Sequence, residues 1–266
     1  MISLTQFKTT SKPAVLVIGP PGTGKTSLVT AVFPSPYIIE IDNNIEGVAK
    51  FLTDSKVDIS KVHLDIPHLK PDGTLVPRQD RWRTMNKRMA DALTKDNEES
   101  KGDFSKFKIQ TIFLDSLTGL IEYALDEVRR QQGRAIGDEE KGTKDDPLQI
   151  QDWGAFGALL RHWFIKVRSF NRYFAVSGHT VTDKDELAGF LKTFINCPGK
   201  FREEIAGLFT ECWKTSIVKE NNEWKRILTT VPTTSERDES LGLKSALRLG
   251  NKFEVNFNKI RAALLS

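Results

Sequence analysis

The chain has 266 residues with 39 Lys and Arg against 35 Asp and Glu, a formal charge of +4 that is too mild to argue for nucleic acid by itself, although it permits a local basic groove. Cys197 and Cys212 stand outside any Cys-x-x-Cys pair, which excludes a zinc site and leaves them as reduced thiols of a cytosolic protein. Met1 to Pro13 carries no apolar signal core and no stretch approaches the about 18 apolar residues of a membrane span, so a soluble, cytoplasmic chain without membrane contact is expected.

The first predicted element is an apolar strand, Ala14–Ile18, followed by Gly19-Pro20-Pro21-Gly22-Thr23-Gly24-Lys25-Thr26, a complete G-x-x-x-x-G-K-[ST] loop. The order is chemical. Glycines let successive backbone N–H groups turn toward phosphates, which makes Gly22 and Gly24 structural requirements, while Lys25 reaches the β- and γ-phosphates and Thr26 ligates Mg²⁺. From Ser27, the last residue assigned to the nucleotide site, to Phe33 the residues Leu28, Val29 and Val32 recur at helical spacing, and Pro34 ends the run. Strand, loop and helix together predict binding of a nucleoside triphosphate, ATP with Mg²⁺.

Further strands are predicted at Tyr37–Ile41, Val62–Ile66, Ile109–Leu114 and Tyr173–Ser177. The helices between them fall at Ile45–Leu52, Arg81–Leu93, Leu117–Gln132 and Phe156–Phe170. This alternation implies a mostly parallel sheet with helices on both faces and loops gathered on one rim. From Leu208 the pattern changes to short runs, Cys212–Val218 and Glu223–Thr230, around Glu220-Asn221-Asn222, which reads as a C-terminal antiparallel hairpin. Residues 1–12 form an N-terminal extension and 13–266 one P-loop domain, while Lys95–Lys106, Arg134–Pro147 and Thr233–Ser240 have the composition of disordered segments. Trp82, Trp163 and Trp213 suit a core or interface, and Trp153 the entry to a helix.

The strand Thr111-Ile112-Phe113-Leu114-Asp115 ends in an acid, and beside a P-loop such an acid serves the Thr26-bound metal; Asp115 can also cap the following helix, a task Ser116 can share. Ser116-Leu117-Thr118 stands where the AAA+ pattern has a glutamate that activates water, and no arginine-bearing sensor helix is evident, so the sequence departs from that pattern.

These motifs, with Gln151-Asp152-Trp153-Gly154 before a helix, Ser177-Gly178-His179 at a strand end and Pro198-Gly199-Lys200 downstream, make the chain resemble the RecA-like ATPases. It most resembles their short, core-only bacteriophage relatives that act in single-strand annealing or recombination. The resemblance implies an α/β RecA-like P-loop core that hydrolyses ATP, binds single-stranded DNA and assembles head to tail into a homo-oligomer or filament, in the host cytoplasm if phage-encoded. A single-strand binding protein is a further partner it implies.

It also makes His179 the residue that senses the γ-phosphate, against the plainer reading of a rim histidine; His63, His68 and His162 form no metal-ligand spacing with it. The family's water-orienting Asp-x-Glu becomes Asp42-Asn43-Asn44, which leaves Glu40, Asp42 or Glu46 to serve, Asp42 being favoured as nearest the rim on the strand face it shares with Glu40.

For DNA the resemblance indicates two loops. The first, Gln131–Pro147, sets Arg129, Arg130, Arg134, Lys141 and Lys144 against Asp138, Glu139, Glu140, Asp145 and Asp146, a poor phosphate magnet. The second, Thr180–Lys200, mixes Phe190 and Phe194 with Lys184, Lys192 and Lys200, as base stacking beside phosphate contacts requires, although Phe190, Leu191 and Phe194 also fit a small buried helix face. Lys166, Arg168 and Arg172, with Lys225 and Arg226, can add electrostatic footing, and Lys200 is a candidate for contact with a neighbouring subunit's ATP. A small-molecule kinase would need an arginine-rich lid, and Arg134–Pro147 has one arginine; a nucleotide-gated interaction protein without DNA affinity is the other alternative.

Overall fold

Leu16 and Ile18 point to one face of the first strand and Val15 and Val17 to the other, and each set is buried in a separate hydrophobic cluster. The computed structural model describes residues 12–42, 45–55, 57–138, 142–184, 191–231, 241–247 and 249–265. Among these, nine strands form one sheet: β1 (Ala14–Gly19), β2 (Pro36–Glu40), β3 (His63–Asp65), β4 (Thr111–Asp115), β5 (Tyr173–Lys184), β6 (Leu191–Ile195), β7 (Glu211–Glu220), β8 (Glu223–Thr229) and β9 (Lys252–Glu254). The spatial order is β3-β2-β4-β5-β1-β7-β8-β9, with β6 paired to β5. The neighbours from β3 through β7 on this path run parallel, and β6, β8 and β9 add antiparallel pairs.

The helices are α1 (Lys25–Val32), α2 (Ile45–Asp54), α3 (Arg78–Glu99), α4 (Leu117–Gln131), α5 (Ile150–Arg168), α6 (Phe201–Glu204) and α7 (Phe257–Leu265). Buried residues of α3, α4 and α5 cover one face of the sheet and those of α1 and α7 the other, the layered α/β arrangement expected. The β7–β8 turn matches its sequence. Asn221 and Asn222 take positive φ of 51° and 66°, the conformation a two-residue hairpin turn needs and asparagine tolerates. Among the described residues no helix is long and apolar enough to cross a membrane.

Several expectations need correction. Lys95–Lys106 is not irregular throughout, because α3 runs on to Glu99 and a short 3₁₀ turn covers Phe104–Lys106. The Asp96 side chain, buried inside that extra turn, accepts hydrogen bonds from the backbone N–H groups of Lys108 (2.9 Å) and Ile109 (3.2 Å). Gln151-Asp152-Trp153-Gly154 lies within the first turns of α5 rather than before it, with Asp152 accepting from the Gln149 N–H at 2.6 Å in a capping box. Within Thr180–Lys200, residues 180–184 and 191–195 are paired antiparallel strands instead of a loop, residues 185–190 lie outside the described residues, and Phe194 sits on β6, not on a helix. Phe190 and the segment Thr233–Ser240 lie outside the described residues.

Arg172 is also not a surface cation. It is 4% exposed, meets Asp96 (also 4% exposed) at 3.2 Å, and stacks on the Phe107 ring. Asp96→Ala therefore leaves a buried guanidinium without its counter-charge and removes the clamp on the strand leading to β4. A loss of about 3–5 kcal/mol in unfolding free energy is expected in urea titrations; a change below about 1 kcal/mol would contradict this account.

Candidate active site

The C-terminal ends of β1, β2, β4 and β5 converge on one rim, and the topology puts β5 between the P-loop strand and the acid strand. Gly19 pairs with His179 in register, and Leu114 with Val176. The loop turns from β1 into α1 through Gly22 and Gly24, at φ 76° and 86°, values that disfavour any residue with a Cβ. Helix α1 then starts with its N–H groups facing the loop cavity and runs to Val32; the chain leaves through an extended Phe33 before Pro34.

Inside the loop the Lys25 ammonium donates to the carbonyl oxygens of Gly19 (3.0 Å) and Pro20 (2.9 Å) and lies 3.4 Å from His179 Nδ1. An ammonium has only protons to give, so Nδ1 must accept and the imidazole proton belongs on Nε2, which faces Asp42 Oδ2 at 3.5 Å. Burial lowers the Lys25 pKa, and the charges of Asp115 and Asp42 oppose that effect. For Asp42, burial alone would push the carboxyl up, but His179, the Ser116 hydroxyl and the Lys25 charge hold it below the usual carboxylate range.

Asp115 is buried at the end of β4. Its Oδ2 accepts from the Thr26 hydroxyl at 2.6 Å, and its Oδ1 from Ser177 on β5. Burial raises the Asp115 pKa, with the two hydroxyls pulling the other way. The peptide bond after it is cis, and Ser116 occupies the N-cap position of α4 without a side-chain capping bond.

Of the three water-orienting candidates, Asp42 stands at the rim. Glu40 is 0% exposed and pairs in register with Asp115, while Glu46 lies exposed in the first turn of α2, where an acid complements the helix dipole. Gly119 explains how Asp42 comes so close: a Cβ there would lie 2.2 Å from Ile41 Cγ2 and 3.2 Å from Asp42 Oδ1, so only glycine lets the end of β2 rest on α4. Asn43 and Asn44 lie outside the described residues.

The two DNA-loop candidates differ. In Gln131–Pro147, of which Glu139, Glu140 and Lys141 lie outside the described residues, charge is used internally. Asp145 meets Arg78 (3.1 Å) and Arg129 (3.3 Å), both of which also hold Asp126, and Arg134 meets the buried Asp152 at 2.8 Å. These ion pairs replace the expectation of a disordered loop. The second segment extends from the site itself, since β5 continues past His179 to Lys184 and returns through Lys192 and Phe194 on β6. Phe194 lies under the Arg202 guanidinium at 4.4 Å, and Lys200 is exposed where α6 begins.

Three contributors are not evident as site residues in the sequence. Ser177 stands out there only as part of a strand-end motif. Thr215 of β7 shares a 2.8 Å hydroxyl hydrogen bond with Thr23 of the loop. Arg226 of β8, expected as a surface cation beside Lys225, lies against the loop: its Nε would be 3.0 Å from a Cβ at Gly24. No local spacing announces Thr215 or Arg226, because both reach the loop across strand pairings.

A buried lysine in a glycine-turned loop, a hydroxyl on the next residue bonded to a strand-end carboxylate, and a parallel sheet holding both define a P-loop nucleotide-binding ATPase domain. The chain belongs to the AAA domain family, whose model matches residues 11–236. Within that family match, Ser116 still stands where the AAA+ pattern has its glutamate. No curated protein matches the chain. Among solved structures, a KaiC-like protein from the hyperthermophilic archaeon Pyrococcus horikoshii aligns over 82% of this chain and 77% of its own, at 13% identity and a TM-score of 0.40, a likeness too slight to carry an argument.

Proposed function

We propose that the chain is an ATP-dependent single-stranded DNA-binding protein of phage-type recombination or annealing, in which the P-loop binds ATP with Mg²⁺ and hydrolyses it. The metal fits the donor set. Thr26 and Asp115 offer a hydroxyl and a carboxylate 2.6 Å apart, two hard oxygens that suit an ion completed by phosphate oxygens and water. When bound, the ion supplies charge that balances the phosphates. Lys25 exchanges the Gly19 and Pro20 carbonyls for phosphate oxygens, Asp42 orients the attacking water, and His179, between Lys25 and Asp42, responds to the γ-phosphate.

The observation that carries the DNA reading is the continuity of β5: the strand that bears His179 at the nucleotide becomes, without interruption, one arm of the β5–β6 hairpin. A change at His179 therefore reaches Lys192 and Phe194 through a single paired ribbon, and Phe190 and Lys200 flank it in sequence. Phe190 and Phe194 supply stacking surface and Lys192 and Lys200 the phosphate contacts. Assembly into a homo-oligomer or filament belongs to the same reading.

A second reading, a nucleotide-gated interaction protein without DNA affinity, is favoured by the first loop, whose Arg134 and Asp145 are held in internal ion pairs. Fluorescence anisotropy with labelled single-stranded DNA separates the two. Tighter binding is expected with a non-hydrolysable ATP analogue than with ADP, and Lys192→Ala and Lys200→Ala should each flatten the salt dependence by roughly one counterion's slope. No binding in either nucleotide state would reject the DNA reading and leave the second.

A further inference from the structure

We propose that the β7–β8 hairpin is the nucleobase-side jaw of the nucleotide site, with Arg226 meeting the phosphates across Gly24 and Trp224 stacking on the base of a purine nucleotide. The inference rests on the P-loop reading and extends it to residues outside the loop.

The register places the hairpin. Ile18 pairs with Lys214, and at the next position the Thr215 hydroxyl donates to the Ile18 carbonyl at 3.2 Å; a Cβ on Gly19 would lie 2.4 Å from the Thr215 carbonyl oxygen. The loop thus rests on β7 at Thr215. Two residues further along, Ile217 pairs with Arg226, and two beyond that Lys219 pairs with Trp224. At about 3.3 Å per residue, Trp224 stands roughly 13 Å past the loop's contact with β7.

Alternation places the side chains. Leu228 is buried with Val15, Val17, Leu28 and Val29 on the α1 face, so Arg226 and Trp224, two and four residues earlier on the same strand, share that face. For Arg226 the contact is direct, with Nε 3.0 Å and Cδ 3.1 Å from the Cβ position at Gly24.

Charge then selects the ligand. Arg226 Cζ lies 4.7 Å from the Phe51 ring centroid, and among the described residues no carboxylate forms an ion pair with it. A guanidinium held on an aromatic ring against Gly24, at the positive end of the α1 dipole, adds positive charge to the loop, which a polyphosphate relieves. Beyond it Trp224 is 71% exposed, with the Lys219 ammonium 5.9 Å from the ring. A cation beside the P-loop followed on the same strand face by an open indole matches a phosphate chain ending in a flat aromatic base. The large π-surface of a purine suits that platform best.

Titration calorimetry on the full chain with Mg²⁺, using ATP and inorganic tripolyphosphate as separate probes, tests the jaw. Trp224→Ala should weaken ATP by roughly tenfold or more and leave tripolyphosphate unchanged, with Trp224→Phe restoring most of the loss. Arg226→Ala should weaken both probes by a similar factor, roughly tenfold to a hundredfold. Wild-type ATP affinity in both variants, with Lys25→Ala inactive in binding, would overturn the jaw and spare the P-loop; wild-type affinity in Lys25→Ala as well would overturn the reading beneath it. A Trp224→Ala effect seen in sedimentation and absent from ATP affinity would make Trp224 a contact between copies of the chain and would equally overturn the proposal.

Discussion

Lys25→Ala is expected to abolish ATP binding while the protein remains folded. In the structure the ammonium is satisfied by the loop's own carbonyls, Gly19 and Pro20, and by His179, so its removal opens no cavity in either hydrophobic cluster. Pro20 is exposed, so water can replace the lysine on its carbonyl, which limits the stability cost. Binding is affected differently. Burial lowers the Lys25 pKa, the charges of Asp115 and Asp42 only partly oppose it, and the Gly19 and Pro20 carbonyls hold the amine in the loop where phosphates bind. Losing it should cost at least about 1.5–3 kcal/mol, the range for a charge-assisted hydrogen bond. Equilibrium dialysis with labelled ATP, beside a thermal melt for fold, checks both parts; unchanged affinity would contradict the assignment.

The residues nearest that lysine are the most legible in the sequence, for a physical reason. A phosphate cradle is built from consecutive backbone N–H groups, so its requirements fall on adjacent positions, Gly19 to Thr26, and show in a string of letters. Asp115 is readable because a carboxylate at the end of a buried apolar strand must be offset by a metal, a cation or a hydrogen bond, and a P-loop nearby names the metal. The ends of elements are less so. Helix α3 extends past Leu93 because Asp96 finds buried partners in the chain twelve residues on, a tertiary gain that a run of Lys, Asp, Asn and Glu conceals. Helix α5 begins at Ile150 because Gln149 and Asp152 form a capping box, which apolar spacing alone does not reveal. Arg172 and Arg226 look like surface cations in the sequence, and one is buried on Asp96 while the other lies on the P-loop, since sheet register across distant strands decides both.

Asp42→Asn should lower ATP turnover by roughly a hundredfold or more at unchanged ATP affinity. The site gives this carboxylate a position its rivals lack. Glu40 is fully buried beside Asp115, so Glu40→Gln should be felt first as altered stability, and Glu46, exposed on α2, should tolerate Gln with turnover near the wild type. Asp42 alone of the three is held at the rim, with His179 Nε2 at 3.5 Å and Gly119 clearing the space it occupies. An amide in its place keeps the shape and loses the negative charge that aligns a water and stabilises the proton leaving it. Because its environment holds Asp42 below the ordinary carboxylate range, this carboxylate should cost the wild type no activity until pH falls through that depressed pKa, below any limb set by the buried Asp115, whose pKa is raised. That lower limb should be missing from the residual activity of Asp42→Asn. Steady-state phosphate release across pH, on the wild type and the three single variants, decides the matter. Equal turnover in all four would mean that none of these acids orients the water and that ATP serves the protein chiefly as a binding switch.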